Sequence, residues 1–168
     1  EPISSVFPDA NPEFDTTAFR FTFQSFTTAP MVFDYDMATR ERTLLKKTEV
    51  PGGYDPALYR SERLYATAAD GTRVPVSVVS RVDVPRDGTA PLLLNGYGSY
   101  GVPSYVSFNP ALPSLLDRGV VYAVAHVRGG GDLGKRWHDA GRMASKKNTF
   151  TDFVACAEAL VKEKVVSK

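Results

Sequence analysis

At 168 residues, with 43% hydrophobic and 23% charged side chains, the chain has an ordinary globular composition, which excludes wholesale disorder and collagen-like repetition. No apolar run approaches the ~18 residues needed to span a bilayer, and Glu1-Pro2-Ile3-Ser4 lacks the basic and apolar segments of a signal peptide, so no membrane partner and a cytoplasmic location are expected. The net charge of +1 hides an asymmetry: residues 1–62 carry 10 acidic and 6 basic side chains and residues 63–168 carry 9 and 14, balances of −4 and +5 that fit two domains better than one.

In chain order, Phe19, Phe21 and Phe23 alternate with Arg20, Thr22 and Gln24, the period of a strand with one buried face. Met31 to Tyr35 and Arg42 to Lys47 follow as short strands, with a polar turn over Asp36 to Arg40, so the stretch predicts a β-meander. Pro51-Gly52-Gly53-Tyr54-Asp55-Pro56 then breaks the periodicity where the charge balance changes sign, as a crossing between domains would. Arg63 to Ala68 and Val74 to Val82 predict strands joined by an Asp70-Gly71 hairpin turn. Leu92 to Leu94 and Val120 to Val127 are continuous apolar runs, expected of strands covered on both faces, and Ala111 to Arg118 predicts a short helix between them that ends at Gly119. Strand, helix, strand is a crossover unit, so a mostly parallel sheet is expected. In the last helix Phe150, Phe153, Val154, Ala157, Leu160 and Val161 form one apolar face, with Thr149 and Asp152 as a capping box and Cys156 at the flank as a small semi-buried hydrophobe. A single cysteine excludes an intrachain disulfide framework and a Cys-x-x-Cys zinc cluster.

Several motifs suggest chemistry that their context does not support. Gly129-Gly130-Gly131-Asp132-Leu133-Gly134 satisfies G-x-G-x-x-G after a predicted strand, which raises a nucleotide-binding oxidoreductase as an alternative. Lys135 to Asn148 shows no apolar period and contains Gly141, so a tight turn facing a site fits better than a dinucleotide fold. Ser99 lies among Gly98, Tyr100 and Gly101, but the nucleophile elbow requires glycine where Tyr97 stands, and the segment runs into Pro103 rather than a helix. His126 and His138 lack a third ligand, and Asp34 and Asp36 are followed by Ala38 and Thr39 where a calcium loop needs an oxygen ligand and a glycine. No metal and no cofactor are expected. The basic half has no Lys/Arg stripe interleaved with aromatics, so nucleic acid is not an expected partner either.

Read together, Leu94-Asn95-Gly96-Tyr97-Gly98-Ser99-Tyr100-Gly101, Leu116-Asp117-Arg118-Gly119, His126-Val127-Arg128-Gly129-Gly130-Gly131-Asp132-Leu133-Gly134 with Trp137, and Lys146-Lys147-Asn148-Thr149-Phe150-Thr151-Asp152-Phe153 resemble the prolyl oligopeptidase family of serine peptidases. The pattern is most similar to the oligopeptidase B branch, which cuts after Lys or Arg, and it extends upstream through Ser25 to Pro30, Thr48 to Pro51 and Tyr59 to Glu62. The resemblance implies an α/β-hydrolase domain preceded by a β-propeller: residues 1–50 as the last propeller strands, 51–62 as the inter-domain crossing and 63–168 as the first part of the catalytic domain. It implies that the nucleophile elbow, the acid and the histidine of the triad follow the helix that begins at Thr149, so the chain is expected to be an internal fragment, inactive by itself, whose partner is the remainder of its own polypeptide. By motif alignment Tyr97 becomes the hydroxyl donor to the oxyanion and Tyr100 the aromatic lining the primary specificity pocket, with short peptides bearing basic residues as substrates. Post-proline cleavage is the alternative within the family.

Overall fold

The computed structural model describes residues 3–168, which divide into two units. The first comprises the described residues up to Ala57 together with Val106–Pro113, and the second Leu58–Tyr105 and Ser114–Lys168. Among the described residues no helix is long and apolar enough to cross a membrane.

The first unit is a four-stranded antiparallel sheet in the order β1 (Ser4–Pro8), β2 (Ala18–Ser25), β3 (Met31–Asp36), β4 (Arg42–Lys47). The predicted alternation becomes cross-strand pairing: Phe19 stands opposite Tyr35, Phe21 opposite Phe33 and Phe23 opposite Met31. Phe21 and Phe33 stack with ring centres 5.5 Å apart. On the other face Arg20 forks onto both oxygens of Asp34, at 2.7 and 2.9 Å. The turn over residues 36–40 closes because Asp36 Oδ1 accepts the N–H groups of Ala38 and Thr39. Strand β1 escapes the sequence reading, since Ser-Ser-Val-Phe-Pro carries no period of two. Segment 106–113 belongs to this unit through the Phe108 N–H, which donates to Gln24 Oε1, and through an edge-on contact between the Tyr54 and Phe108 rings. The strands form an open four-stranded sheet, not a closed propeller.

The second unit holds β5 (Tyr59–Thr67), β6 (Arg73–Arg81), β7 (Leu92–Asn95) and β8 (Val121–Ala125) in the order β5-β6-β8-β7. Asp70-Gly71 makes the predicted hairpin, with Gly71 at φ +83° and Asp70 Oδ1 accepting the Thr72 N–H. Strand β5 begins four residues before Arg63, within the segment assigned to the crossing, because the polar run Arg60-Ser61-Glu62 conceals its period. The expectation of a mostly parallel sheet is corrected for this stretch: β5–β6 and β6–β8 are antiparallel, and only β7–β8, joined through α1 (Leu112–Leu116), is parallel. A hairpin can only join antiparallel neighbours, so the β5–β6 pair fixes the direction of the edge. Val74, Val76 and Val78 of β6 pack with Val121, Ala123 and Ala125 of β8 in the core, where each fully buried valine contributes roughly 1.5–3 kcal/mol.

Helix α3 (Lys147–Lys162) starts two residues before the expected Thr149 and presents a different face from the one its apolar residues suggest. Its buried positions are Thr149, Asp152, Cys156 and Leu160, whereas Phe150 and Val154 lie exposed. The capping box is likewise overturned: Lys146 stands at the N-cap without a side-chain cap bond, and Thr149 and Asp152 turn inward. What draws them in is Arg128. Asp152, wholly buried, takes Arg128 Nε at 2.8 Å on one oxygen and Nη2 at 2.6 Å on the other, while the Arg128 backbone N–H donates to it at 3.0 Å. Thr149 Oγ1 donates to the Arg128 carbonyl at 2.7 Å. Cys156 sits in the middle of the buried stripe, not at its flank, and burial with the nearby Asp152 charge pushes its thiol up to about 12.

Two outcomes follow. Asp152→Asn strips a buried guanidinium of its charged acceptor and is expected to cost about 3–5 kcal/mol in urea denaturation, far more than Asp70→Asn at the exposed end of the same arginine. Cys156 is expected to stay unmodified by a chromogenic disulfide reagent near pH ~8 in the folded state and to react fully on denaturation; rapid labelling under native conditions contradicts its burial.

Candidate functional site

Strand β7 ends at Asn95, and the chain leaves its carboxyl end through Gly96-Tyr97-Gly98-Ser99-Tyr100-Gly101. Open α/β sheets place ligand sites at such strand ends. Gly98 and Gly101 have φ of +63° and +67°, and Tyr100 adopts +55°, a conformation that costs a side chain of its size of order 1 kcal/mol or more. Both tyrosines reach solvent, Tyr97 56% exposed and Tyr100 86%. Neither ring is packed into a core.

Glycines let this loop lie directly on two other segments. A Cβ at Gly98 would stand 2.5 Å from both Thr149 Cγ2 and Val127 Cγ2 and 3.0 Å from the Arg128 carbonyl oxygen. From the facing side, a Cβ at Gly129 would strike the Gly98 carbonyl and one at Gly131 the Gly101 carbonyl. The Gly101 N–H donates to the Gly129 oxygen at 3.1 Å, and the Gly129 N–H to the Trp137 oxygen at 3.0 Å. The glycine run therefore serves backbone-on-backbone packing. A short helix, α2 (Lys135–Asp139), does open after Gly134, which the missing apolar period in 135–148 does not indicate.

Beneath the loop lies a polar platform. Lys146 Nζ donates to the Gly98 carbonyl at 2.6 Å, to Ser99 Oγ at 2.7 Å and to Thr149 Oγ1 at 3.2 Å, and stands 5.8 Å over the Phe150 ring. Thr149 and Arg128 connect this platform to Asp152 in the core. Arg128 also reaches outward to Asp70 at 2.6 Å, and this bond, with those from Thr72, holds the Asp70 carboxyl down at about 2. Its contribution to stability is thus in place above the ordinary value of 3.8 and is lost as pH falls through about 2. The sequence marks Lys146 and Arg128 only as parts of a resemblance and Asp152 as a capping residue, since no periodicity marks charges that meet across 24 residues.

Ser77, His126 and Asp132 are bonded in the order of a hydrolytic triad: Ser77 Oγ to His126 Nε2 at 2.7 Å, and His126 Nδ1 to Asp132 Oδ1 at 2.6 Å. Its setting excludes that chemistry. Ser77 is wholly buried in the middle of β6, so no peptide carbonyl can approach its oxygen. The array instead ties the sheet to the loops, because Asp132 Oδ1 also accepts the Ser104 N–H at 2.9 Å and Trp137 Nε1 donates to the His126 carbonyl at 3.1 Å. His138 is placed in α2, against the loop at Gly101.

A cleft of about 490 Å³ opens beside the loop, lined by Ser99, Tyr100, Gly129, His138, Arg142 and Lys146 among others. Tyr100 borders it and Tyr97 does not. Among the described residues no group of three or more His, Cys, Asp or Glu side chains is placed to hold a metal ion. What the surface offers chemically is hydrogen-bond donation from phenol hydroxyls on a firmly seated loop. Gly98→Ala is expected to unseat that loop: the folded chain should lose about 1–3 kcal/mol of stability by thermal or urea denaturation, where a surface Gly119→Ala, with open space around it, loses less.

The family model described as "Prolyl oligopeptidase family" matches residues 106–168. Dipeptidyl aminopeptidase BI of Pseudoxanthomonas mexicana is 48% identical over 160 residues, 95% of this chain and 22% of that protein. Protease 2 of Moraxella lacunata is 37% identical over 99% of this chain and 24% of its own length. The structure of oligopeptidase B from Leishmania major superposes with a TM-score of 0.91 at 40% identity, covering 99% of this chain and 23% of that one. The chain thus spans less than a quarter of the length of these relatives. Residues 106–168 thus match the prolyl oligopeptidase family, and nearly the whole chain is similar in sequence and in the course of its backbone to the peptidases named above.

Proposed function

We propose that this chain is the part of a serine oligopeptidase that contributes Tyr97 as a donor to the oxyanion and Tyr100 as a wall of the primary specificity pocket, for cleavage of short peptides after Lys or Arg. In that reading β1 to β4 are the last strands of a propeller, and the second unit is the first part of an α/β-hydrolase domain. The serine, the acid and the histidine, with the acidic groups that select a basic side chain, come from the remainder of the polypeptide. The serine oxygen gives its proton to the histidine as it bonds to the scissile carbonyl carbon, the carbonyl oxygen takes the negative charge, and collapse of this adduct breaks the C–N bond as the histidine hands that proton to the leaving amine; water, deprotonated by the same histidine, then releases the acyl group and restores the serine hydroxyl. A phenol O–H directed at that oxygen stabilises the charge as it forms.

The observation that carries the reading is the placing of Tyr97 and Tyr100, two solvent-facing phenols on a strained loop at the carboxyl end of a sheet strand, held from below by Lys146 and from the side by Gly129. Relatives named as oligopeptidase B, protease 2 and dipeptidyl aminopeptidase support a peptide substrate. The 48% identity to a dipeptidyl aminopeptidase favours a second reading, in which dipeptides are released from a free amino end.

In the complete enzyme, Tyr97→Phe is expected to lower kcat on an arginyl-arginyl coumarin amide by about 10²-fold or more with little change in KM, the usual scale for one lost oxyanion donor. An unchanged kcat removes Tyr97 from the reaction. Comparing the same amide with its amino end blocked or free separates endopeptidase from dipeptidyl-aminopeptidase action, and turnover of a Gly-Pro amide in preference to both assigns post-proline cleavage.

A further inference from the structure

We infer that Lys146 is a positioning residue for the oxyanion donor: it fixes the Gly98-Ser99 step, and so the height and direction of Tyr97, against the start of α3. The inference rests on the reading of Tyr97 given above and adds to it the group that holds the tyrosine in place.

Lysine is a poor choice where it stands. The positive end of a helix dipole disfavours a cation just before the first turn. Lys146 nevertheless takes that position, with no side-chain cap bond. A local preference overridden in this way points to a demand from elsewhere, and the hydrogen bonds identify it. An ammonium has three N–H donors and no acceptor. Two of its bonds go to Gly98 O and Ser99 Oγ, on the two residues between Tyr97 and Tyr100, and the third to Thr149 Oγ1 in the first turn of α3. The same residues lie next to the left-handed φ values at Gly98 and Tyr100, which persist only where surrounding bonds over-determine them. Thr149 is bonded to Arg128, and Arg128 to buried Asp152, so the lysine joins a strained loop to a rigid element.

The pairing of Ser99 with Lys146 at 2.7 Å has another reading, as a serine nucleophile with a lysine base. A base must accept the hydroxyl proton, whereas here the amine spends its protons on three acceptors and Ser99 Oγ receives one of them. The geometry makes Lys146 a donor.

The test uses the complete enzyme and compares Lys146→Met, Tyr97→Phe and the double variant by kcat and KM on the arginyl-arginyl amide. Because displacement of a catalytic group by about 1 Å costs on the order of 10²-fold, Lys146→Met is expected to lower kcat by roughly 10- to 10²-fold. Acting through Tyr97, it should lower kcat no further in the Tyr97→Phe background. A purely structural role would depress both backgrounds alike, so multiplicative losses, or an unchanged kcat in Lys146→Met, overturn the inference while leaving Tyr97 in place. Tyr97→Phe without effect overturns the reading of Tyr97 and this inference with it. Should Lys146→Met not fold, Ser99→Ala makes the same comparison by deleting one acceptor: a several-fold lower kcat only when Tyr97 is present supports the inference, and equal kcat in both backgrounds overturns it.

Discussion

The bidentate ion pair between Arg128 and Asp152 is the interaction on which the second unit turns. Its members are 24 residues apart, one just past β8 and the other in the second turn of α3, and both are shielded from water. Such a pair gains little over an apolar filling, because desolvation offsets most of its attraction, yet losing either partner leaves an unpaired buried charge. The pair is therefore less a source of stability than a constraint on geometry. It sets the rotation of α3, turning Thr149, Asp152 and Cys156 inward and leaving Phe150 and Val154 outside.

From that rotation the candidate site is built outward. With Thr149 inward, its hydroxyl meets the Arg128 carbonyl and its methyl lies where any side chain at Gly98 would have to be. With α3 starting at Lys147, Lys146 comes under the Gly98-Ser99 step. The glycines at 98, 129 and 131 then allow three backbone segments to approach more closely than side chains permit. The result is a loop with little freedom that carries two large aromatic side chains open to solvent, where a ligand can meet them. Rigidity of the carrier is what a donor to a developing charge requires, since reorganisation during reaction would cost part of the stabilisation.

The buried Ser77, His126 and Asp132 array illustrates how geometry and setting must be weighed together. Its distances alone would pass for a catalytic relay, but a serine in mid-strand with no exposure can only hold its neighbours. It links β6, the glycine loop and Ser104, so the same three residue types that hydrolyse peptides elsewhere serve here to fasten loops to a sheet.

The sequence by itself determined the elements whose side chains have a period: the phenylalanine alternation of β2, the Asp70-Gly71 hairpin, the apolar run of β8 and the existence of α3. Through collinear motifs it also pointed to the prolyl oligopeptidase family, which the match over residues 106–168 bears out, and to the tyrosines to be tested. Strand β1, the early start of β5 and the face of α3 were not legible, because short polar strands carry no period and because the buried stripe of α3 includes Thr149 and Asp152, which a hydrophobic pattern passes over. Only the tertiary structure decided that Lys146, Arg128, Thr149 and Asp152 form one chain of bonds beneath Tyr97's loop. Ion pairs and hydrogen bonds join residues by distance in space, and nothing in their spacing along the chain records the encounter.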